Sequence, residues 1–180
     1  MVTSTETAPR ASAQTDEAHD RARSAAARVV DPEIPVITIE DLGVLRDVAV
    51  DAHGHVDVTI TPTYSGCPAM DEIAADVGKE LRAAGFEDVS VRLVLSPAWT
   101  TDMITERGRD ALREYGIAPP THRAATGPVP LTLSRFQPQP ACPQCGSSRT
   151  TEISRFASTA CKALHRCLDC QEPFDYFKAL

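Results

Sequence analysis

Two Cys-x-x-Cys pairs constrain this chain more than any other feature. Cys142-Pro143-Gln144-Cys145 and Cys167-Leu168-Asp169-Cys170 are separated by 21 residues. Such pairs can set four thiolates at the corners of a tetrahedron about 2.3 Å from a metal ion. Each pair wraps the ion because its turn aims both sulfurs and backbone amides inward, and Gly146 permits the tight backbone that follows. A module of some forty residues (141–180) buries too little apolar surface to fold well alone, so metal binding would largely drive its folding. The expected metal is a structural Zn2+ held by Cys142, Cys145, Cys167 and Cys170. Rubredoxin-like iron is the competing ion, and a redox or metal-transfer role the competing use. Thr150 to Phe156 and Phe174 to Phe177 read as the short strands of its hairpin.

Composition separates this module from the rest. Residues 1–140 hold 13 Lys+Arg and 21 Asp+Glu, a net of −8, whereas residues 141–180 hold 5 and 4, a net of +1. Five of the six cysteines lie in the last forty residues, and six of the 14 prolines fall between Pro119 and Pro140. These shifts predict a tail (1–15) without order, a larger domain (16–116), a Pro-rich linker (117–140) and the cysteine module. A nearly neutral module beside an acidic domain disfavours phosphate binding, hence a nucleic-acid partner. No run approaches the roughly 20 apolar residues of a membrane span. The polar start lacks the apolar core of a signal peptide, so a reducing cytoplasm is expected, where paired cysteines read as metal or reactive sites.

Within the larger domain, Ala18, Ala22, Ala25, Ala26, Val29 and Val30 recur at helical spacing from Asp16 to Val30, where Pro32 ends the helix. Val44–Asp51 and His55–Thr61 alternate as strands around an Asp51-Ala52-His53-Gly54 turn, which predicts a hairpin. A third strand, Val89–Leu95, puts Val89, Val91, Leu93 and Leu95 on one apolar face. Pro68–Ala84 carries a stripe of Met70, Ile73, Ala74, Val77, Leu81 and Ala84, with Gly85 as its stop. A last helix is expected over Asp102–Tyr115, capped by Thr101 or Asp102, with Ile104, Ala111, Leu112 and Tyr115 inward. The expected fold class is α+β: a small mixed sheet with helices packed on one face, plus a C-terminal zinc-ribbon β module.

Cys67 is the one cysteine outside the module. It stands directly before the best-defined helix, where the helix dipole would lower its pKa. It is therefore either a nucleophile or soft-metal ligand, or a small buried residue. Cys161 is a free buried thiol, a substitute ligand or a reactive residue, with Lys162 able to favour its thiolate. Trp99 is a hydrophobic plug or the wall of a site shared with Cys67. Asp31, Glu33, Glu40 and Asp41 read as a solvated acidic rim, with hard-metal binding as the sharper alternative. The five histidines are scattered and read as surface residues, so no base for an independent thiol enzyme is legible.

Asp31-Pro32-Glu33-Ile34-Pro35 with Ile39-Glu40-Asp41-Leu42-Gly43-Val44-Leu45 resembles the opening motif of the small iron–sulfur assembly domain family that includes SufT-type proteins. Thr61-Pro62-Thr63-Tyr64-Ser65-Gly66-Cys67-Pro68 resembles that family's cysteine loop. Joined to the ribbon, Ser158-Thr159-Ala160-Cys161-Lys162-Ala163-Leu164 and Glu172-Pro173-Phe174-Asp175-Tyr176-Phe177-Lys178, the chain resembles an accessory-subunit family of the phenylacetyl-CoA epoxidase (phenylacetate-CoA oxygenase) system. The resemblance covers about residues 17–180. It implies a non-enzymatic role in aerobic phenylacetate catabolism, assisting metal or iron–sulfur cluster assembly of an oxygenase component. It further implies that Cys67 is the functional thiol, transiently holding iron or a cluster. The implied partners are the oxygenase components, the iron–sulfur reductase among them, and a second copy of the chain in a homodimer. The alternative role is a docking adaptor using the ribbon and its aromatic tail (Phe174, Tyr176, Phe177).

Overall fold

The computed structural model describes residues 9–120 and 139–178. Its first helix, α1 (Pro9–Ala26), starts seven residues before the expected Asp16, so residues 9–15 belong to a helix, while residues 1–8 lie outside the described residues. Ala22, Ala25 and Ala26 are buried at helical spacing. The helix stops at Ala26, and Val30 already pairs as a strand, because the chain turns toward Pro32.

A hairpin that the sequence pattern does not predict follows: β1 (Val30–Asp31) and β2 (Ile34–Thr38) pair antiparallel. Asp31 closes the turn, its Oδ1 accepting from the amides of Glu33 at 2.8 Å and Ile34 at 2.9 Å. The two prolines and an irregular apolar pattern mask this strand in the sequence.

The central sheet has the order β3 (Leu45–Val50), β4 (Val56–Ile60), β5 (Val89–Leu93). The expected β3–β4 hairpin is antiparallel, and β4–β5 is parallel, so the sheet is mixed. Val56, Val58 and Ile60 are buried as their alternation requires. The crossover between the parallel strands is α2 (Met70–Ala83), whose Met70, Ile73, Val77 and Leu81 are buried, while Gly85 at φ +91° ends the helical run. Helices α1 and α2 pack on each other and against the sheet.

Two expectations fail on this domain's periphery. Leu93 and Leu95 are 54% and 58% exposed, because β5 is an edge strand and the covering layer ends at Val91. The last helix is shorter than expected: a 3-10 turn (Thr101–Met103) precedes α3 (Glu106–Glu114). Thr105, rather than Thr101 or Asp102, caps α3, its Oγ1 accepting from the Gly108 amide at 3.0 Å. Ile104 and Leu112 are buried, but Tyr115 is exposed. Moreover, α3 lies against β2 and the strand that follows it, not on the central sheet.

That strand, β6 (Ile117–Ala118), occupies the first residues of the expected linker and pairs parallel to β9 (Pro173–Phe177). The ribbon sheet has the order β6, β9, β8 (Lys162–Cys167), β7 (Thr150–Ser154). Residues 121–138, which hold most of the expected linker, lie outside the described residues. The ribbon also shares the main core: Ile117, Cys161 and Phe177 are buried with the side chains of α1, α2 and the central sheet.

Candidate metal centre and the thiol seam

The four ribbon cysteines come together. Their sulfurs all lie within 4.8 Å of one another, with Cys142–Cys170 at 3.8 Å and Cys145–Cys167 at 3.5 Å. A tetrahedral ion with sulfurs at 2.3 Å demands sulfur–sulfur edges of about 3.8 Å, so the set fits Zn2+. The backbone builds this geometry. Gly146 donates to the Cys142 carbonyl at 2.8 Å, and Cys142 to the Ser147 carbonyl at 2.9 Å. Gly146 adopts φ +74°, as its place after the first pair requires. The Leu168 amide reaches the Arg149 carbonyl at 2.8 Å and ties the second knuckle to the first. The amides of Cys170 and Asp169 help hold Cys167 low, at about 6. Cys170 is pushed up to about 12: the Glu172 amide lowers it, but burial and the adjacent thiols outweigh that. Four thiolates at this spacing need a cation.

Strand β8, which carries Cys167, is hidden in the sequence, because its Lys162, His165 and Arg166 break the apolar pattern. Two of these polar residues are buried. Lys162 Nζ pairs with Asp175 at 3.3 Å. His165, 3% exposed, stacks on Phe174 and meets Tyr176 edge-on, with no partner for its Nδ1 among the described residues. The expectation that every histidine is solvated fails here.

Cys67 lies three residues before α2 rather than directly before it, because the helix begins at Met70 and not at Pro68. Its amide donates to the Tyr64 carbonyl at 3.1 Å. The thiol is pushed up rather than down: burial is the main cause, and the charges of Glu33, Asp31 and Cys161 add to it against the Ala69 amide. Desolvation therefore outweighs the Ala69 amide. Cys161, 6% exposed, is also pushed up by burial, and Lys162 offsets little of it because its ammonium is committed to Asp175. The Cys161 sulfur meets Thr159 Oγ1 at 3.0 Å. Thr61, which begins the cysteine loop, is wholly buried with no hydrogen-bond partner for its hydroxyl among the described residues.

The acidic rim divides. Asp31 and Glu33 are pushed up, chiefly by burial. Glu40 and Asp41 instead meet Arg23 and Arg107. Asp41 is buried, not solvated, because Thr38, Thr105 and Arg107 all bond its carboxylate. Trp99 has the geometry of a plug: 5% exposed, it donates from Nε1 to the Leu42 carbonyl at 2.9 Å and packs on Phe177 with ring centroids 5.9 Å apart.

A mixed three-stranded sheet bearing a half-buried thiol in the loop before its crossover helix, joined to a four-cysteine ribbon, defines an iron–sulfur assembly-type domain with a zinc-ribbon appendage. The model of the iron–sulfur cluster assembly protein family matches residues 19–93, and that of the PaaD zinc beta ribbon domain matches residues 126–178. A protein from Escherichia coli K12, described as the putative D component of 1,2-phenylacetyl-CoA epoxidase, is 48% identical over 85% of this chain and 88% of its own length. The chain belongs to the family of that epoxidase component. An Fe-S protein maturation auxiliary factor from Porphyromonas gingivalis is 42% identical over 49% of this chain and 82% of its own length. A DUF59 domain structure from Bacillus anthracis superposes with a TM-score of 0.52 at 26% identity, covering 56% of this chain and 96% of that one.

Proposed function

We propose that this chain is a non-enzymatic maturation component of a phenylacetyl-CoA epoxidase system in the cytoplasm, and that Cys67 transiently holds iron or an iron–sulfur cluster for an oxygenase component, the iron–sulfur reductase being the expected client. One observation carries the reading. Cys67 sits half-buried, as a free thiol, in the loop after β4 of the domain that matches the iron–sulfur assembly family. The ribbon supports it as a Zn2+-stiffened scaffold whose Cys161 and Phe177 are buried in the domain's core. Among the described residues no helix is long and apolar enough to cross a membrane.

The test is Cys67→Ala in cells carrying the complete system. Cluster occupancy of the reductase component and epoxidation should both fall, with the level of this chain unchanged. Unchanged occupancy and activity would refute the role of Cys67.

An adaptor role has one observation of its own, the exposed ribbon side chains Ile153 and Phe156, at 53% and 65%. Of the aromatic tail, Phe174 and Phe177 are buried and Tyr176 is half-buried. Stoichiometric co-purification with the oxygenase that is lost in Ile153→Ser but insensitive to Cys67→Ala would favour the adaptor.

A further inference from the structure

A cleft of the larger domain shares no residue with the cysteine loop or the ribbon. Its volume is about 650 Å³, within the range of small-molecule sites. Four segments build it. Helix α1 supplies Arg23, the turn after β2 Glu40 and Asp41, and β3 Arg46, while the chain from the 3-10 turn into α3 adds Met103 and Arg107. Three guanidiniums thus meet two carboxylates, a net of +1. That excess stands on a part of the chain, residues 1–140, whose own net charge is −8.

Both carboxylates are already engaged. Arg23 Nη2 meets Glu40 Oε1 at 3.2 Å. Arg107 Nε donates to both oxygens of Asp41, at 3.0 and 2.8 Å, and its Nη2 lies 4.0 Å from Glu40. Arg46 has no such partner: among the described residues its one side-chain bond runs from Nη1 to the Met103 sulfur, a weak acceptor. A half-buried guanidinium ordinarily faces a carboxylate, because its charge and donors are partly stripped of water. Met103 is held where it is by Gly43, which adopts φ +76°. A Cβ at Gly43 would lie 2.5 Å from Met103 Cβ and 2.7 Å from its carbonyl oxygen, so only glycine admits this approach. With the buried Leu45, Met103 gives the cleft an apolar wall beside the Arg46 guanidinium.

We infer that this cleft binds a monocarboxylate carried on an apolar arm, with Arg46 as the anchoring cation, Arg23 and Arg107 beside it, and Met103 and Leu45 against the arm. The guanidinium fork matches the two oxygens of a carboxylate. Charge sets the class of ligand. One unmatched positive charge balances one negative charge, whereas a phosphate dianion would face Glu40 and Asp41 with half its own charge uncompensated. Two sources present such a group, a free organic acid and the C-terminal residue of a protein chain. The site does not depend on whether Cys67 holds metal, since the cleft takes no residue from the cysteine loop.

The experiment uses the full chain, zinc-loaded and isotope-labelled, and follows the arginine side-chain and Met103 methyl resonances. The probes are hexanoate, hexanol, inorganic phosphate, and N-acetyl-glycyl-leucine as free acid and as amide. Hexanoate or the dipeptide acid should shift the Arg46 and Met103 resonances saturably, and hexanol and the dipeptide amide should not saturate over the same range. Arg46→Gln, which removes no ion pair, should weaken binding read at Met103 about tenfold or more, and Arg46→Lys should recover part of it. Circular dichroism checks that both variants fold. Tighter binding of hexanoate assigns the site to a free acid, and tighter binding of the dipeptide assigns it to a chain terminus; either upholds the carboxylate site. No saturable shift with either acid, binding that Arg46→Gln leaves unchanged, or phosphate binding more tightly than both acids would overturn it.

Discussion

Asp41 ties two segments together through one side chain. Its carboxylate accepts from Thr105 Oγ1 at 2.6 Å, Arg107 Nε at 2.8 Å and Thr38 Oγ1 at 3.1 Å. Its own carbonyl accepts from the Thr105 amide at 2.9 Å, so the turn after β2 and the N-terminus of α3 are fastened together. Burial works to raise the Asp41 pKa, but the bonds from Thr105, Arg107 and Thr38 outweigh it and hold the carboxyl below its ordinary value of 3.8. A depressed pKa stabilises the fold fully above that ordinary value, and the contribution disappears as pH falls through the folded-state value. Asp41→Asn should therefore cost about 1–3 kcal/mol at pH 7, kept modest because Arg107 is largely exposed. The gap to the unsubstituted protein should shrink between pH 7 and an acid pH below the folded-state value. Denaturant unfolding at both pH values checks this, and a gap independent of pH would contradict it. Position along the chain groups Asp41 with Asp31, Glu33 and Glu40. Their fates differ because Asp41 and Glu40 meet the distant Arg107, whereas Asp31 is engaged by the amides of its own turn. Both thiols are legible in the sequence as residues of interest, but the burial that pushes both of them up is not, since no local pattern encodes which distant segments will cover them.

At the scale of elements, periodic segments are legible in the sequence and irregular ones are not. Helix α2, the β3–β4 hairpin and the parallel return to β5 follow from apolar spacing and from Gly85. Strands β2, β6 and β8 escape because proline, brevity or buried polar residues break their alternation. Glycines mark where elements touch, and two of them should respond oppositely to alanine. A Cβ at Gly108 in α3 would lie 2.8 Å from the Asp41 carbonyl oxygen and 3.0 Å from Ile37 Cδ1. A Cβ at Gly78 in α2 would meet only the end of the Arg82 side chain, at 3.2 Å, which can swing away. Helix propensity favours alanine by up to about 1 kcal/mol at both sites, but overpacking against backbone costs about 1–3 kcal/mol. Gly108→Ala should therefore lower stability, and Gly78→Ala should hold or raise it. Thermal unfolding of the two variants separates these outcomes; a stabilised Gly108→Ala protein would mean that α3 does not press on the Asp41 turn.

The whole molecule is coupled through the seam. Composition divides the chain sharply at Pro140, which suggests independent halves, yet β6 leaves α3 and enters the ribbon sheet beside β9. Phe177, at the end of β9, is wholly buried and packs on Trp99, which in turn hydrogen-bonds Leu42 in the larger domain. Sequence could not reveal this, because a two-residue strand carries no period and a buried aromatic does not name its partner. The consequence is that metal at the ribbon should stabilise the larger domain. Removing the ribbon's metal would unfold a small four-cysteine module, which would withdraw Phe177, Ile117 and Cys161 from the shared core. Trp99 is the chain's single tryptophan, so its fluorescence reports on the seam. Chelation should shift its emission to longer wavelength and lower the unfolding midpoint of the helical signal. Phe177→Ala in zinc-loaded protein should reproduce part of that loss, about 3–5 kcal/mol for a buried phenylalanine. Unchanged Trp99 emission after chelation, together with an unchanged helical midpoint, would mean that the two halves fold independently and that the ribbon only rests against the domain.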